Sequence, residues 1–244
     1  TISCITHRKN PVFQAFLSQF PPSESTGIKL PGNESTTFAY LKHTCKQPWI
    51  MDVAYHESTS ALGHIVIKVA NTEQNNVWKT LEDAAKFAQC NSLTRIIIAV
   101  DKDIDARDPD TVNWAMTTRM LPHRDCRTKT GQGISLLDQA LTVQDERIER
   151  DYRLDEKESS VLLINATMKW PYTPISLPKK EFMERALQIW NEEGFPELKL
   201  KEPWWGIDLG YWLPEWDEDA TLATQGDYKI VGDKLVKQRR KLPE

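Results

Sequence analysis

Residues 95–125 read RIIIAVDKDIDARDPDTVNWAMTTRMLPHRD, and this stretch decides the fold. The apolar run Ile96, Ile97, Ile98, Ala99 and Val100 stops at Asp101. A continuous run of this kind marks a strand buried on both faces, the habit of parallel sheets. Asp101, Asp103 and Asp105 follow at alternate positions, then Asp108-Pro109. Asp is a strong N-cap because its carboxylate accepts from an unpaired N–H of the first turn. Proline at the next position has no N–H to lose. A helix is therefore expected from Pro109 to about Thr118. A buried strand feeding a loop and a helix at its carboxyl end is where α/β folds place their sites.

The neighbouring sequence repeats the pattern. Trp49–Tyr55 and Ile65–Val69 read as strands, Val161–Asn165 as a later one, and Ile2–Thr6 as a short first one. Residues 21–33, rich in Pro, Ser and Gly, read as a loop. Phe38, Leu41 and Cys45 share one face of a helix over Ser35–Cys45. Asn75 or Asn76 can cap a helix to about Cys90, whose buried stripe is Val77, Leu81, Ala84, Ala85 and Ala88. Strand and helix in alternation predict an α/β fold, a mainly parallel sheet flanked by helices.

Residues 131–160 mix turn formers with a dense charge run and read as a surface insertion. Pro178 can open a helix with a buried stripe of Phe182, Ala186, Ile189 and Trp190, closed by Gly194. Six of the nine tryptophans fall between Trp170 and Trp216. That density, with little core of its own, predicts an extended Trp-rich C-terminal arm that packs on a partner subunit or back on its own domain.

A chain of 244 residues with 40% hydrophobic and 27% charged residues buries a real core. Its net charge of −4 argues against nucleic acid, which demands a concentrated positive field. No apolar run approaches the ~18 residues of a membrane span, so no membrane contact is expected. Cys4, Cys45, Cys90 and Cys126 in so long a chain read as reduced thiols in the cytoplasm. The first residue is Thr1, so the chain is expected to be trimmed or to begin partway through a longer protein.

The chemistry-bearing patterns are few. The three aspartates imitate a calcium loop, but Ala106 stands where Gly is required and Val112 where the bidentate Glu belongs. Capping and turn formation explain them better. His43 with Cys45, and His123 with Cys126, lack a second ligand pair for zinc. Arg119 and Arg124 can hold a carboxylate or phosphate, or complement the helix C-terminus, the more economical reading.

ITHRKNP at 5–11, the VDKDIDARDPDTVNWAMTTRMLPHRD block and INATMKWP at 164–171 together resemble the UbiD family. These are reversible (de)carboxylases of aromatic and α,β-unsaturated acids that use prenylated FMN. The resemblance covers the C-terminal part of such an enzyme. It implies that the flavin, a divalent metal and potassium as a further candidate are held mainly by an absent N-terminal portion. That portion also carries the catalytic groups, so no catalytic and no metal-ligating residue is assigned here. The resemblance further implies that Val12 and Phe13 on one side, and Met116 and Thr118 on the other, wall the substrate pocket. GYWLPEWDEDA is similar to UbiD-like proteins of aromatic-acid metabolism, which favours an aromatic carboxylate.

The expected organisation is a first strand and linker over 1–34, an α/β C-terminal domain over 35–200 with the insertion at about 131–160, and the arm over 201–244. The expected function is a C-terminal domain or subunit of a (de)carboxylase, inactive alone, that walls the cleft and mediates oligomerisation as a dimer or larger. Its expected partners are the N-terminal flavin-binding portion, further copies of itself and a small carboxylic acid. The rival is a non-catalytic assembly module.

Overall fold

In the computed structural model, residues 2–16, 18, 20–88, 93–133, 140, 159–198 and 206–238 are described. The chain forms two compact units, Thr1–Lys169 and Trp170–Glu244. The expected divisions at 34 and 200 followed the resemblance; compactness divides the chain once, after Lys169.

The first unit is built on five strands, β1 (Ile50–Tyr55), β2 (His64–Val69), β3 (Ile96–Asp101), β4 (Cys126–Thr130) and β5 (Ser160–Ala166), in the order β1-β2-β3-β5-β4. β2, β3 and β5 run parallel, and β1 and β4 flank them antiparallel. The sheet is therefore mixed, with the expected parallel arrangement confined to its centre. A register shift between Ile50 and Asp52 makes Met51 an extra residue in β1.

Helices α1 (Glu24–Ala39), α2 (Gln74–Ala88), α3 (Pro109–Thr118) and the single turn α4 (Pro122–Asp125) complete the unit. The expected stripe of α2 is buried in full. It packs with Ile65, Ile67, Ile97, Ala99 and Leu163 from one face of the sheet. Alternation sends Val66, Ile98, Val100 and Ile164 to the opposite face, where they are buried too. Burial on both faces explains the unbroken apolar run of β3. Gln74 opens α2, so Asn75 and Asn76 lie in its first turn rather than at its cap; Cys90 lies outside the described residues.

Three expectations are corrected. Ile2–Thr6 has no ladder partner among the described residues and forms no strand. The loop expected over 21–33 is helical from Glu24, with Ser23 as N-cap accepting from Thr26 N–H at 3.2 Å. Gly27, Pro31 and Gly32 argue locally against helix, but tertiary bonds hold it. Asn33 donates to Ala61 O at 2.9 Å, Thr37 and Tyr55 share a buried hydroxyl pair at 2.8 Å, and Glu34 accepts from Tyr55 N–H. A π-helical turn, Tyr40–Thr44, continues it and buries Leu41. Lastly, β4 goes unread in the sequence because CRTKT is short, polar and at an edge. The insertion expected at 131–160 lies almost wholly outside the described residues.

The second unit contains α5 (Lys180–Glu192), α6 (Pro214–Thr224) and α7 (Tyr228–Gln238). Gly194 adopts φ +71 just past α5, as the sequence requires of a C′ residue. The stripe of α5, however, is not buried: Phe182 is 52% exposed and Ile189 43%. Helical period is legible from spacing, whereas burial needs an opposing surface, and no residue of α5 is buried. The arm is not simply extended either. α6 and α7 are tied by Lys234 to Asp219 at 2.9 Å, and Trp212 meets Trp216 edge-on at 5.5 Å. No described helix is long and apolar enough to cross a membrane.

Leu81 is fully buried at the centre of the α2–sheet contact. Leu81→Ala is expected to cost the first unit about 3 kcal/mol, since the cavity it leaves collapses only in part. Denaturant midpoints with an unchanged slope would check this.

Candidate functional site

The carboxyl end of β3 is the most highly organised polar region of the first unit. Asp101 ends the strand, and its carbonyl accepts from Ile104 N–H in a turn anchored by buried Ile104 and Ala106. Asp105 closes the next turn, accepting from Arg107 N–H at 2.9 Å. Asp108 then caps α3 through Asp110 N–H at 3.1 Å, with Pro109 in the first turn. Strand, loop, cap and helix all follow the local chemistry of the sequence.

Asp101 and Asp103 do more than form turns. Both face Arg119, the C-cap residue of α3, whose side chain is 0% exposed. Arg119 Nη1 donates to Asp101 Oδ2 and Asp103 Oδ1, each at 2.8 Å, and Nη2 donates to Asp103 Oδ2 at 2.6 Å. Asp103 is thus gripped in bidentate fashion, the geometry a guanidinium offers and an ammonium does not. The two readings of Arg119 merge: it stands at a helix C-terminus, and the carboxylates it holds are the chain's own. Burial pushes the Asp101 carboxyl above its ordinary range, while Met168 N–H and Arg119 pull it back.

Around this trio lies a second layer. Met168 N–H donates to Asp101 Oδ2 at 2.8 Å. Lys169 Nζ donates to Asn165 O at 2.7 Å and Arg119 O at 3.1 Å, and lies 3.3 Å from Asp125 Oδ1. Asp125 in turn accepts from Leu121 N–H and pairs with Arg124 at 2.6 Å. Burial pulls Lys169 below its ordinary range, with Asp125 opposing. Burial acts to raise Asp125, but Arg124, Leu121 N–H and Lys169 outweigh it and hold the carboxyl low. Arg119, Asp125 and Lys169 form long-range pairs, and no spacing in the sequence announces them.

At the other side of the loop, a cavity of about 280 Å³ is lined by Leu30, Glu34, Tyr55, His56, Arg107 and Pro109, among others. Arg107 bridges Glu34 at 2.9 Å and Asp52. His56 is buried, and its Nε2 must carry the proton that it donates to Ala106 O at 3.0 Å. Its ring lies 4.4 Å from that of His64, whose Nε2 is buried with no partner among the described residues. Burial, reinforced by His56, lowers the His64 pKa to about 4.

The residues expected to wall a pocket are placed as follows. Val12 and Phe13 are 86% and 95% exposed on a segment without regular structure, so the first unit does not seat them. Met116, half-buried, and Thr118, exposed, lie in the last turn of α3, with Thr118 Oγ1 donating to Trp114 O at 2.8 Å. The structure does not bring the two pairs together. Among the described residues no group of three His, Cys, Asp or Glu could hold a metal ion. The cavity does not fit a flavin phosphate, because its one lining cation among the described residues, Arg107, is already paired with Glu34 and Asp52, and Glu57 adds further negative charge.

Two outcomes test this electrostatic account. Arg119→Met leaves Asp101 and Asp103 without their cation and is expected to cost about 3–5 kcal/mol, read by denaturant melts. His64 takes up a proton near pH 6.5 when unfolded but only near 4 when folded. Stability is therefore full above the unfolded value and falls as pH drops through that window. His64→Phe should flatten that acid limb in a series of Tm measurements, the effect being muted by partial solvent exposure.

Comparison with known proteins agrees with this architecture. Residues 32–149 match the family model of the 3-octaprenyl-4-hydroxybenzoate carboxy-lyase C-terminal domain, of the UbiD type. The closed form of vanillic acid decarboxylase from Sedimentibacter hydroxybenzoicus is similar in fold, with a TM-score of 0.55 and 20% identity over 77% of this chain. Apo 3,4-dihydroxybenzoic acid decarboxylase from Klebsiella pneumoniae is similar with a TM-score of 0.50 and 20% identity over 67%. The chain spans only 38% and 34% of those two proteins, about a third of their length. Over residues 32 to 149, just under half of its length, the chain is thus similar to the C-terminal domain of UbiD-type carboxy-lyases.

Proposed function

We propose that this chain is the C-terminal portion of a carboxy-lyase that acts on an aromatic or α,β-unsaturated carboxylic acid. The observation that carries the reading is the match of residues 32–149 to the carboxy-lyase C-terminal domain, which contains the whole Asp101–Arg119 constellation. An aromatic acid is favoured within that class, because both similar structures are decarboxylases of benzoic acids.

In this reading the chain supplies shape. Met116 and Thr118 form one wall of the substrate cleft, at the end of a helix fixed by its cap and by Arg119. Val12 and Phe13, exposed here, meet the substrate only when the N-terminal segment is docked on the flavin-bearing portion. Apolar and small side chains set the size of a pocket and exclude water from it. Prenylated FMN, when bound by the other portion, supplies the electron sink for loss of carbon dioxide. In this reading the other portion holds that group and its metal, and the chain alone is inactive.

The second unit suits contact with further protein. Phe182, Phe195, Tyr211 and Tyr228 are each more than half exposed, and aromatic residues of this kind anchor interfaces. A homo-oligomer, a dimer or larger, and a flavin-bearing partner are the proposed associates, in the cytoplasm.

Met116→Phe and Thr118→Phe in the enzyme joined to its flavin-bearing portion test the reading. The larger ring is expected to lower kcat/KM for the bulkier of two benzoic acids by about tenfold while leaving the oligomer intact. Unchanged kinetics for both acids would reduce the chain to an assembly module.

A further inference from the structure

We propose that Arg119 is a positioning residue for substrate selection, fixing the end of α3 through its guanidinium and the exit of β5 through its carbonyl and Asp101. The inference rests on the reading of α3 as a wall of the cleft. Arg119 N–H closes α3 on Ala115 O at 3.0 Å, so the residue is part of the helix end and not merely near it. Its side chain fastens that end to Asp101 and Asp103, at the rigid terminus of a strand buried on both faces. Its carbonyl accepts from Lys169, and Asp101 also accepts from Met168 N–H. Helix end, strand end and strand exit thus share one fully buried cation.

Met116 lies three residues before Arg119 and Thr118 immediately before it. Any displacement of the guanidinium is passed to both, because the helical turn between them is hydrogen-bonded and moves as a body. The requirement is for a fork. Lysine would keep the charge, but its ammonium is a point donor that cannot grip Asp103 in bidentate fashion while also reaching Asp101. Arg119→Lys therefore relaxes the wall without removing the balancing charge, whereas a residue needed only for stability would leave selectivity untouched.

The five methionines, Met51, Met116, Met120, Met168 and Met183, supply reporters. With the full chain labelled at the methionine methyl carbons, Arg119→Lys is expected to shift the Met116, Met120 and Met168 resonances together and to leave Met51, in the outer strand β1, in place. Leu81→Ala, which destabilises through the α2 core and leaves the Arg119 pairs intact, should leave Met116 in place. In the flavin-loaded enzyme, the ratio of kcat/KM for 3,4-dihydroxybenzoate over vanillate is then measured; the two acids differ by one O-methyl group. A loosened wall admits the larger acid, so Arg119→Lys should move this ratio toward vanillate by roughly three- to tenfold. Met116→Phe should move it the other way, and Leu81→Ala not at all. If Met116→Phe leaves the ratio unchanged, the wall reading itself fails. If Met116→Phe moves it but Arg119→Lys does no more than Leu81→Ala, the wall stands and the positioning role is overturned.

Discussion

A guanidinium with no access to water governs the first unit. Removing such an ion from solvent costs several kcal/mol, and the structure offsets this by surrounding Arg119 with Asp101 and Asp103 in close geometry. Two of the three groups have a second duty. Asp101 ends a strand and receives Met168 N–H, while Arg119 ends a helix and receives Lys169. Loop 102–108, α3 and the exit of β5 are consequently one structural object. None of the three can be repacked without leaving a buried charge uncompensated.

That arrangement separates what is legible in a sequence from what is not. Asp108 and Pro109 declare a helix start because capping is local: the carboxylate and the N–H it satisfies are two residues apart. The stripe of α2 is legible for the same reason, since its spacing is its geometry. Arg119 lies 18 residues from Asp101, and Lys169 lies 44 from Asp125, so their pairing exists only after the sheet has formed. α1 shows the converse. Pro31 and two glycines carry a true local signal against helix, which Asn33, Glu34 and Thr37 overrule through bonds to residues more than fifteen positions away.

Around the candidate site the sequence makes the helix legible, not the assembly. Met116 and Thr118 sit at the end of a well-specified helix. Val12 and Phe13 stand in solvent because nothing in the first unit offers them a surface. α5 repeats the lesson on a larger scale, having the period of a buried helix without burial. In both places apolar character is legible in the sequence, while no opposing surface covers it among the described residues. His64 illustrates a further limit: HIVIKV reads as an ordinary strand, and only folding reveals an imidazole held neutral beside another.

The two borders of the sheet are finished differently, and this bears on how the protein avoids unwanted company. A free strand border is a template for another strand, and folded proteins blunt it with bulges or charge. β1 uses the bulge at Met51, which breaks the regular sequence of donors and acceptors. β4 uses cations: Arg127 and Lys129 alternate along CRTKT, and Arg127 is pinned 3.7 Å over the Trp78 ring and paired to Glu82. A sheet blunted at one border by geometry and at the other by charge is a poor template for strands from a neighbour. Such borders leave the exposed helices and side chains as the better surfaces for specific contact.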